Sequence, residues 1–173
     1  MGTFSRLLRQ VLEHTDSNVI NLEKELHTLK LYIQLESLRL NIDLKYSIDT
    51  DNEIMTEYEK VPPLILQPFV ENSLWHGLSR KEGEKNLTIK VSQTDEYLVF
   101  TISDNGIGRE KAATFKKTSA SEMYASRGID ITIKRLIEFN KTKEPPVVYT
   151  DLVDDAGEAE GTSVNVYIRK QGV

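Results

Sequence analysis

The sequence predicts an α+β fold, a two-layer sandwich of a mainly antiparallel sheet with helices on one face. Three observations predict it. Short segments alternate apolar and polar residues with the period of strands. Between them lie stretches whose apolar residues recur every three or four positions, the period of helices. Turn and breaker residues, including Pro62-Pro63, Asn105-Gly106 and Pro145-Pro146, fall at the boundaries.

The 173 residues are 39% hydrophobic and 28% charged. That is one domain's worth of chain, and at this length about 70% of the unfolded surface can be buried. Cysteine is absent, which excludes a disulfide framework and thiolate-bound zinc. No apolar run approaches the roughly 20 residues of a membrane-crossing helix. No signal peptide is visible, because Met1-Gly2-Thr3-Phe4 leads straight into a polar amphipathic pattern. The net charge of −5 offers no excess of cations for phosphate backbones and argues against nucleic acid as a partner.

The elements follow in order. Phe4, Leu7, Leu8, Val11 and Leu12 predict a first helix, broken at Asp16-Ser17-Asn18. Asn21 is expected to cap a second helix that runs through Leu22, Leu26, Leu29, Ile33 and Leu40. Leu44, Tyr46 and Ile48 predict a strand. Pro62-Pro63 stops strand structure and is expected to open a helix over Leu64–Leu78, since proline is tolerated in a helix's first turn. Leu87–Val91 and Leu98–Ile102 read as an antiparallel hairpin turning near Asp95-Glu96. Arg109 to Arg127 is a polar stretch, followed by a helix from Gly128 to about Asn140. Strands over Val147–Val153 and Thr162–Ile168 finish the domain.

Four places can carry chemistry. On the helix 64–78, Leu66, Phe69, Val70, Ser73 and Gly77 share a packing stripe, with Asn72 and His76 one turn apart on its flank. An amide oxygen is a hard ligand suited to magnesium, and an imidazole one turn on can donate to a phosphate. The same two residues also read as ordinary flank positions. Asp104-Asn105-Gly106-Ile107-Gly108 directly follows a strand. Its glycines can let backbone approach a ligand, and its carboxylate can accept from an amino group. It also reads as a hairpin turn, although Arg109-Glu110-Lys111-Ala112-Ala113 favours a helix next. Arg109–Arg127 reads as a lid or a surface loop, with Ser126, Arg127 and Gly128 at the start of a helix, where free N–H groups can meet a phosphate. Gly161-Thr162 adds a backbone position and a hydroxyl. The phosphate-loop and dinucleotide glycine motifs are absent. The three histidines, His14, His27 and His76, lack metal-ligand spacing, which argues against zinc.

In this order the pieces resemble the ATP-binding domain of the GHKL superfamily, in the branch of LytS/YehU-type sensor histidine kinases. Pro63-Leu64-Ile65-Leu66-Gln67-Pro68-Phe69-Val70-Glu71-Asn72-Ser73-Leu74-Trp75-His76-Gly77 resembles that family's N box. Asp104–Gly108 resembles the G1 box, Ser126-Arg127-Gly128-Ile129 the G2 region and Gly161-Thr162 the G3 end. The stretch from Leu22 through Arg39 resembles the family's helix between the phosphoacceptor region and the ATP domain. The resemblance implies a Bergerat-type sandwich. Residues 1–40 would be a helical linker from a phosphoacceptor and dimerisation region, and 41–173 the catalytic domain. It also implies ATP and Mg²⁺. Asn72 would ligate the metal, Asp104 would take the adenine amino group, and Gly106 and Gly108 would give the nucleotide room. Gly128 would sit at a phosphate-facing helix N-terminus, with Arg127 and Thr162 beside the ligand and His76 near the phosphates.

The same resemblance implies the activity: transfer of the ATP γ-phosphate to a histidine on an upstream helix absent from this chain. The motif that carries that histidine in the family does not occur here, and His14 lacks its context. Partners would be that histidine helix and a response regulator, expected to be of the LytTR type. The full-length protein would be a homodimer at the bacterial inner membrane, with this piece on the cytoplasmic side and possible as a monomer. Three departures stand out. Trp75 occupies a position where the family has a lysine, and Ser126 replaces the first G2 glycine. Pro68 stands where hydrolytic relatives carry a water-activating glutamate. The first two motivate an alternative, a degenerate nucleotide-sensing or docking module; a slow ATPase of the same superfamily is a further one, and Pro68 argues against it.

Overall fold

A computed structural model describes residues 18–115 and 120–171. The first predicted helix lies outside these residues. The chain enters through a two-residue strand β1 (Ile20–Asn21), then a 19-residue helix α1 (Leu22–Leu40). Strands β2 (Leu44–Thr50) and β3 (Lys60–Val61) follow, then helix α2 (Gln67–Asn72), which continues as a π-helical turn over Ser73–Leu78. After these come β4 (Lys85–Gln93), β5 (Tyr97–Asp104), α3 (Arg109–Phe115), α4 (Ala120–Asn140), β6 (Val147–Val153) and β7 (Ala159–Arg169).

Five strands form one sheet in the order β2-β4-β5-β7-β6. β4–β5, β5–β7 and β7–β6 are antiparallel, and only β2 and β4 run parallel. Strand periodicity sorts the side chains. Leu87, Ile89 and Val91 of β4, Leu98, Phe100 and Ile102 of β5, and Val164, Val166 and Ile168 of β7 are buried on one face. The opposite face is polar: Thr101 Oγ1 donates to Asn165 Oδ1 at 2.8 Å, and the Ser103 and Ser163 hydroxyls meet at 2.7 Å. The helices cover the apolar face, as the alternation requires. A second, two-stranded sheet pairs Ile20 with Val61 and Asn21 with Lys60.

The parallel β2–β4 pair has a structural consequence. Parallel neighbours need a long crossover, and that crossover, residues 51–84, contains α2 and the π turn. Helix α1 packs beneath it, with Leu22 and Ile33 fully buried and Leu29 and Tyr32 nearly so.

Four sequence expectations change. Asn21 does not cap α1 with its side chain; Nδ2 donates to the Glu57 carbonyl at 2.8 Å and Oδ1 accepts from Lys60 Nζ at 2.7 Å. The helix expected over Leu64–Leu78 starts at Gln67, because Leu64 adopts a left-handed φ of 57° and its N–H is drawn to Glu25. The proline in the helix's first turn is therefore Pro68 rather than Pro63. The last α-helix begins at Ala120, eight residues before the expected Gly128, and Arg109–Phe115 is helical too. Of the stretch read as a lid or surface loop, residues 109–115 and 120–127 are helical, and residues 116–119 lie outside the described residues.

Candidate functional site

A cavity of about 370 Å³ opens between the π turn, the start of α3, the middle of α4 and the edge of the sheet. That volume lies within the roughly 300–1,000 Å³ of small-ligand sites. Two of its walls carry most of the polar groups. Phe69, Asn72, Ser73, His76 and Gly77 line it from the α2–π segment. Ile102 and Asp104 of β5, Thr162 and Val164 of β7, and Tyr149 of β6 line it from the sheet.

The sheet register explains the second set. Asp104 pairs with Thr162 and Thr162 with Asp151; two residues along, Ile102 pairs with Val164 and Val164 with Tyr149. Residues two apart share a face, so a carboxylate row and an apolar row stand side by side on one wall.

Asp104 is 5% exposed. Burial pushes its carboxyl above the usual carboxylate range, and hydrogen bonds from the Ser73 side chain and the Gly106 and Thr162 backbone pull the other way. The Gly106 N–H reaches Oδ1 at 2.9 Å. A carboxylate so placed can accept a further N–H from a ligand, and a ligand lacking one leaves it underpaired in an apolar setting.

The glycines explain how the loop after β5 reaches the π turn. A Cβ on Gly106 would lie 2.5 Å from Gly77 Cα, and one on Gly77 would lie 2.8 Å from Asp104 Oδ1. The two backbones touch, and the Ile107 N–H donates to the Gly77 carbonyl at 3.3 Å. Asn105 fastens the other side, with Oδ1 accepting from Asn86 N–H at 2.8 Å. Gly108 has φ 78° and faces both the cavity and Ala159.

The sequence-predicted residues therefore divide. Asn72, His76, Asp104, Gly108 and Thr162 come together on one cavity. Gly106 is adjacent but buried, and its lack of a side chain serves contact with Gly77. Gly128 is inside α4 and not at its N-terminus, so it does not supply the free N–H groups expected there; its neighbours Ile129 and Asp130 line the cavity instead. The side chains of Ser126 and Arg127 lie outside the described part of the structure. Trp75, read as standing in a phosphate-facing position, points to α1: its Nε1 donates to Glu36 Oε2 at 3.0 Å.

Sequence reasoning missed Ser73 as a polar partner, Tyr149 and Arg109. The Arg109 guanidinium lies 4.8 Å from the Tyr149 ring centre and 3.6 Å from Asp151 Oδ2, closing the cavity's outer rim. Burial raises the Tyr149 phenol above its ordinary value, and Arg109 offsets part of that. Strand register gives the signal for Tyr149, since it falls beside Val164, two residues from Thr162.

Chemically, the cavity presents apolar walls, one deep carboxylate, hydroxyls beside it, and an amide and an imidazole on a single helical face. It can seat a flat apolar group carrying an N–H, with a polar extension running toward Asn72 and His76.

No family model matches the chain. It is 34% identical over 107 residues to the sensor protein LytS of Oceanobacillus iheyensis, covering 62% of this chain and 18% of that protein. It is 32% identical over 123 residues to the sensor histidine kinase YpdA of Escherichia coli, covering 71% and 21%. To LytS of Staphylococcus saprophyticus it is 32% identical over 135 residues, covering 76% and 22%. The chain thus spans about a fifth of the length of these relatives. Among solved structures, the histidine kinase domain of the Erythrobacter litoralis EL346 blue-light activated histidine kinase superposes with a TM-score of 0.58 at 16% identity, covering 94% of this chain and 76% of that one. The mycobacterial sensor histidine kinase MprB gives 0.57 at 9% identity, covering 90% and 98%.

Proposed function

From the premise that this chain is a LytS-type histidine kinase ATPase domain, by sequence likeness to sensor kinases and by fold, we propose that its cavity binds Mg²⁺·ATP and presents the γ-phosphate to a histidine on another helix. The observation that carries this reading is the convergence of Asn72 and Asp104, 32 residues apart in sequence, on one cavity.

In this reading Asp104 accepts the exocyclic amino group of adenine, while Ser73 and the Gly106 and Thr162 backbone hold the carboxylate in place. Ile102, Val164 and Ile129 supply apolar walls for the base, and the Thr162 hydroxyl adds a polar contact. Gly108 lets the main chain approach the ligand. Asn72 offers its amide oxygen to the metal and His76 a ring nitrogen to the phosphates. The donor set fits magnesium, which favours oxygen ligands and retains waters. When bound, the metal neutralises phosphate charge. The residues themselves contribute positioning and exclusion of water, the main terms in phosphoryl transfer. Arg127 is proposed as a further phosphate contact.

Two features weigh against water as the acceptor. Pro68, in the first turn of α2, has no group to activate it. Of the cavity's described carboxylates, Asp104 is engaged by backbone and Ser73, and Asp130 is exposed. The sensor-only alternative loses one of its motives, because Trp75 faces α1 and takes nothing from the cavity.

By the same reading, residues 1–40 link the catalytic domain (41–173) to a phosphoacceptor helix of the same or a partner chain. The longer protein would be a membrane-bound homodimer signalling to a response regulator of LytTR type. No described helix is long and apolar enough to cross a membrane.

The test is the affinity for a fluorescent ATP analogue with Mg²⁺, comparing the parent with Asp104→Asn, which keeps shape but offers an amide. Loss of one charge-assisted hydrogen bond, about 1.5–3 kcal/mol, should weaken binding by about tenfold or more. Equal affinity would remove Asp104 from the base site. Labelling of a restored upstream histidine separates the kinase from a binding-only module.

A further inference from the structure

The helix that carries Asn72 and His76 is gripped at both ends by α1. At its beginning, Glu25 is 1% exposed, and its carboxylate accepts the Leu64 N–H at 2.8 Å and the Leu66 N–H at 3.2 Å. These are the residues just before Gln67, in a segment bent by the left-handed φ of Leu64. Arg135 of α4 holds the same segment from the other side, donating to the Pro63 carbonyl at 2.9 Å. At its end, Glu36 is 6% exposed and accepts Trp75 Nε1–H at 3.0 Å. Arg39 binds the same oxygen at 2.7 Å and lies 4.3 Å over the indole ring.

The spacing on α1 is what makes these two contacts one device. Eleven residues at 100° each return to within about 20° of the same direction, so Glu25 and Glu36 project from one stripe, three turns apart. Leu29, Tyr32 and Ile33 fill the seam between them and are buried. Buried carboxylates are a poor choice for stability, since apolar residues of similar volume commonly do as well or better. What they add is a fixed register. Asp104 is held by the sheet and by its own loop, and meets the α2–π segment only at Ser73 and Gly77. The cavity therefore has one polar half on the sheet and one on a helix that α1 holds at both ends.

Resting on the reading of the cavity as a nucleotide site, we infer that Glu25 and Glu36 are positioning residues, which fix Asn72 and His76 against Asp104 through the two ends of their helix. A shift or rotation of α1 then alters the site without touching the ligand.

The test measures binding of a fluorescent ATP analogue with Mg²⁺, and amide hydrogen exchange without nucleotide, on the chain carrying Glu36→Leu, Trp75→Phe, both together, or Glu36→Gln. Each of the first two should weaken binding by about fivefold, the worth of one hydrogen bond, and should speed exchange over residues 73–78. Global unfolding should be unchanged or harder. The double variant should be no weaker than either single one, because both remove one contact. Glu36→Gln keeps an acceptor oxygen and should bind within about twofold of the parent. Glu25→Gln should speed exchange over residues 64–70. Parent-like affinity and exchange in Glu36→Leu and Trp75→Phe would overturn the inference, as would additive losses. A parent that binds no nucleotide would instead defeat the nucleotide reading, and exchange alone would then decide the clamp.

Discussion

Glu25 titrates unusually. Burial lifts its carboxyl from an ordinary 4.5 to about 7, against the opposing pull of the backbone N–H groups of Leu64, Leu66 and Ile65 and of the Arg135 guanidinium. The folded state therefore holds this proton more tightly than the unfolded state. Stability is complete below about pH 4.5, falls as pH rises toward 7, and levels off above it. Glu25→Gln should flatten the urea-midpoint profile between pH 5 and 7. Asp104 adds a slope of the same sign, since burial raises it too, so the difference between parent and variant isolates Glu25. The glycines make a second residue-scale contrast. Gly106→Ala forces a Cβ into the Gly77 backbone and should cost about 1–3 kcal/mol, the usual range for overpacking. Gly128→Ala meets open space inside a helix and should stabilise by up to about 1 kcal/mol. Urea denaturation of the two variants decides both. Sequence alone named 106 and 108 together because each follows the same turn signal. Which glycine meets backbone and which meets the cavity depends on a helix some 30 residues upstream, and no local pattern reports that.

Elements were legible where period and punctuation agreed. The strands β2, β4, β5, β6 and β7 stand where alternation placed them, and α1 spans its apolar run. Two stretches differ from their local pattern. Leu64–Leu66 carries helical spacing, but Glu25, 39 residues earlier, takes its N–H groups. Ala120–Arg127 is polar enough to read as loop, yet it is helical, while Arg109–Phe115 is the helix that its sequence favoured. Besides its buried apolar face, helix α4 docks through its last residue. Asn140 is fully buried, donates to the Tyr167 carbonyl at 2.7 Å and accepts the Arg169 N–H at 2.8 Å. Asn140→Ala would leave both backbone groups of β7 unpaired, and at about 1–3 kcal/mol for each buried unpaired group it should destabilise severely. Asn140→Asp retains the acceptor and should cost less. Thermal unfolding of the pair checks the order.

At the scale of the whole molecule, the exposed ion pairs among the described residues contribute little to holding the fold. The Lys45–Glu84, Lys111–Glu158 and Arg169–Glu96 pairs are all about half exposed or more. Exposed pairs contribute roughly 0–1 kcal/mol each and are screened by salt. Screening these three pairs should therefore lower stability by no more than about 3 kcal/mol between low and high ionic strength, measured by urea denaturation. The candidate site was legible in pieces: Asn72 could be named from helical spacing, and Asp104 and Thr162 from the glycines beside their strands, but their meeting is a product of the sheet order and of the β2–β4 crossover. That order also governs how the protein is made. The cavity's back wall needs β5 beside β7, and residues 105–158 separate them. During translation the strand bearing Asp104 emerges long before its neighbour. Until Ala159–Arg169 leaves the ribosome, Phe100 and Ile102 have an unpaired edge and Asp104 lacks its Thr162 contact. A nascent chain can assemble its early helices first, but the cavity's sheet wall is complete only once Ala159–Arg169 has emerged.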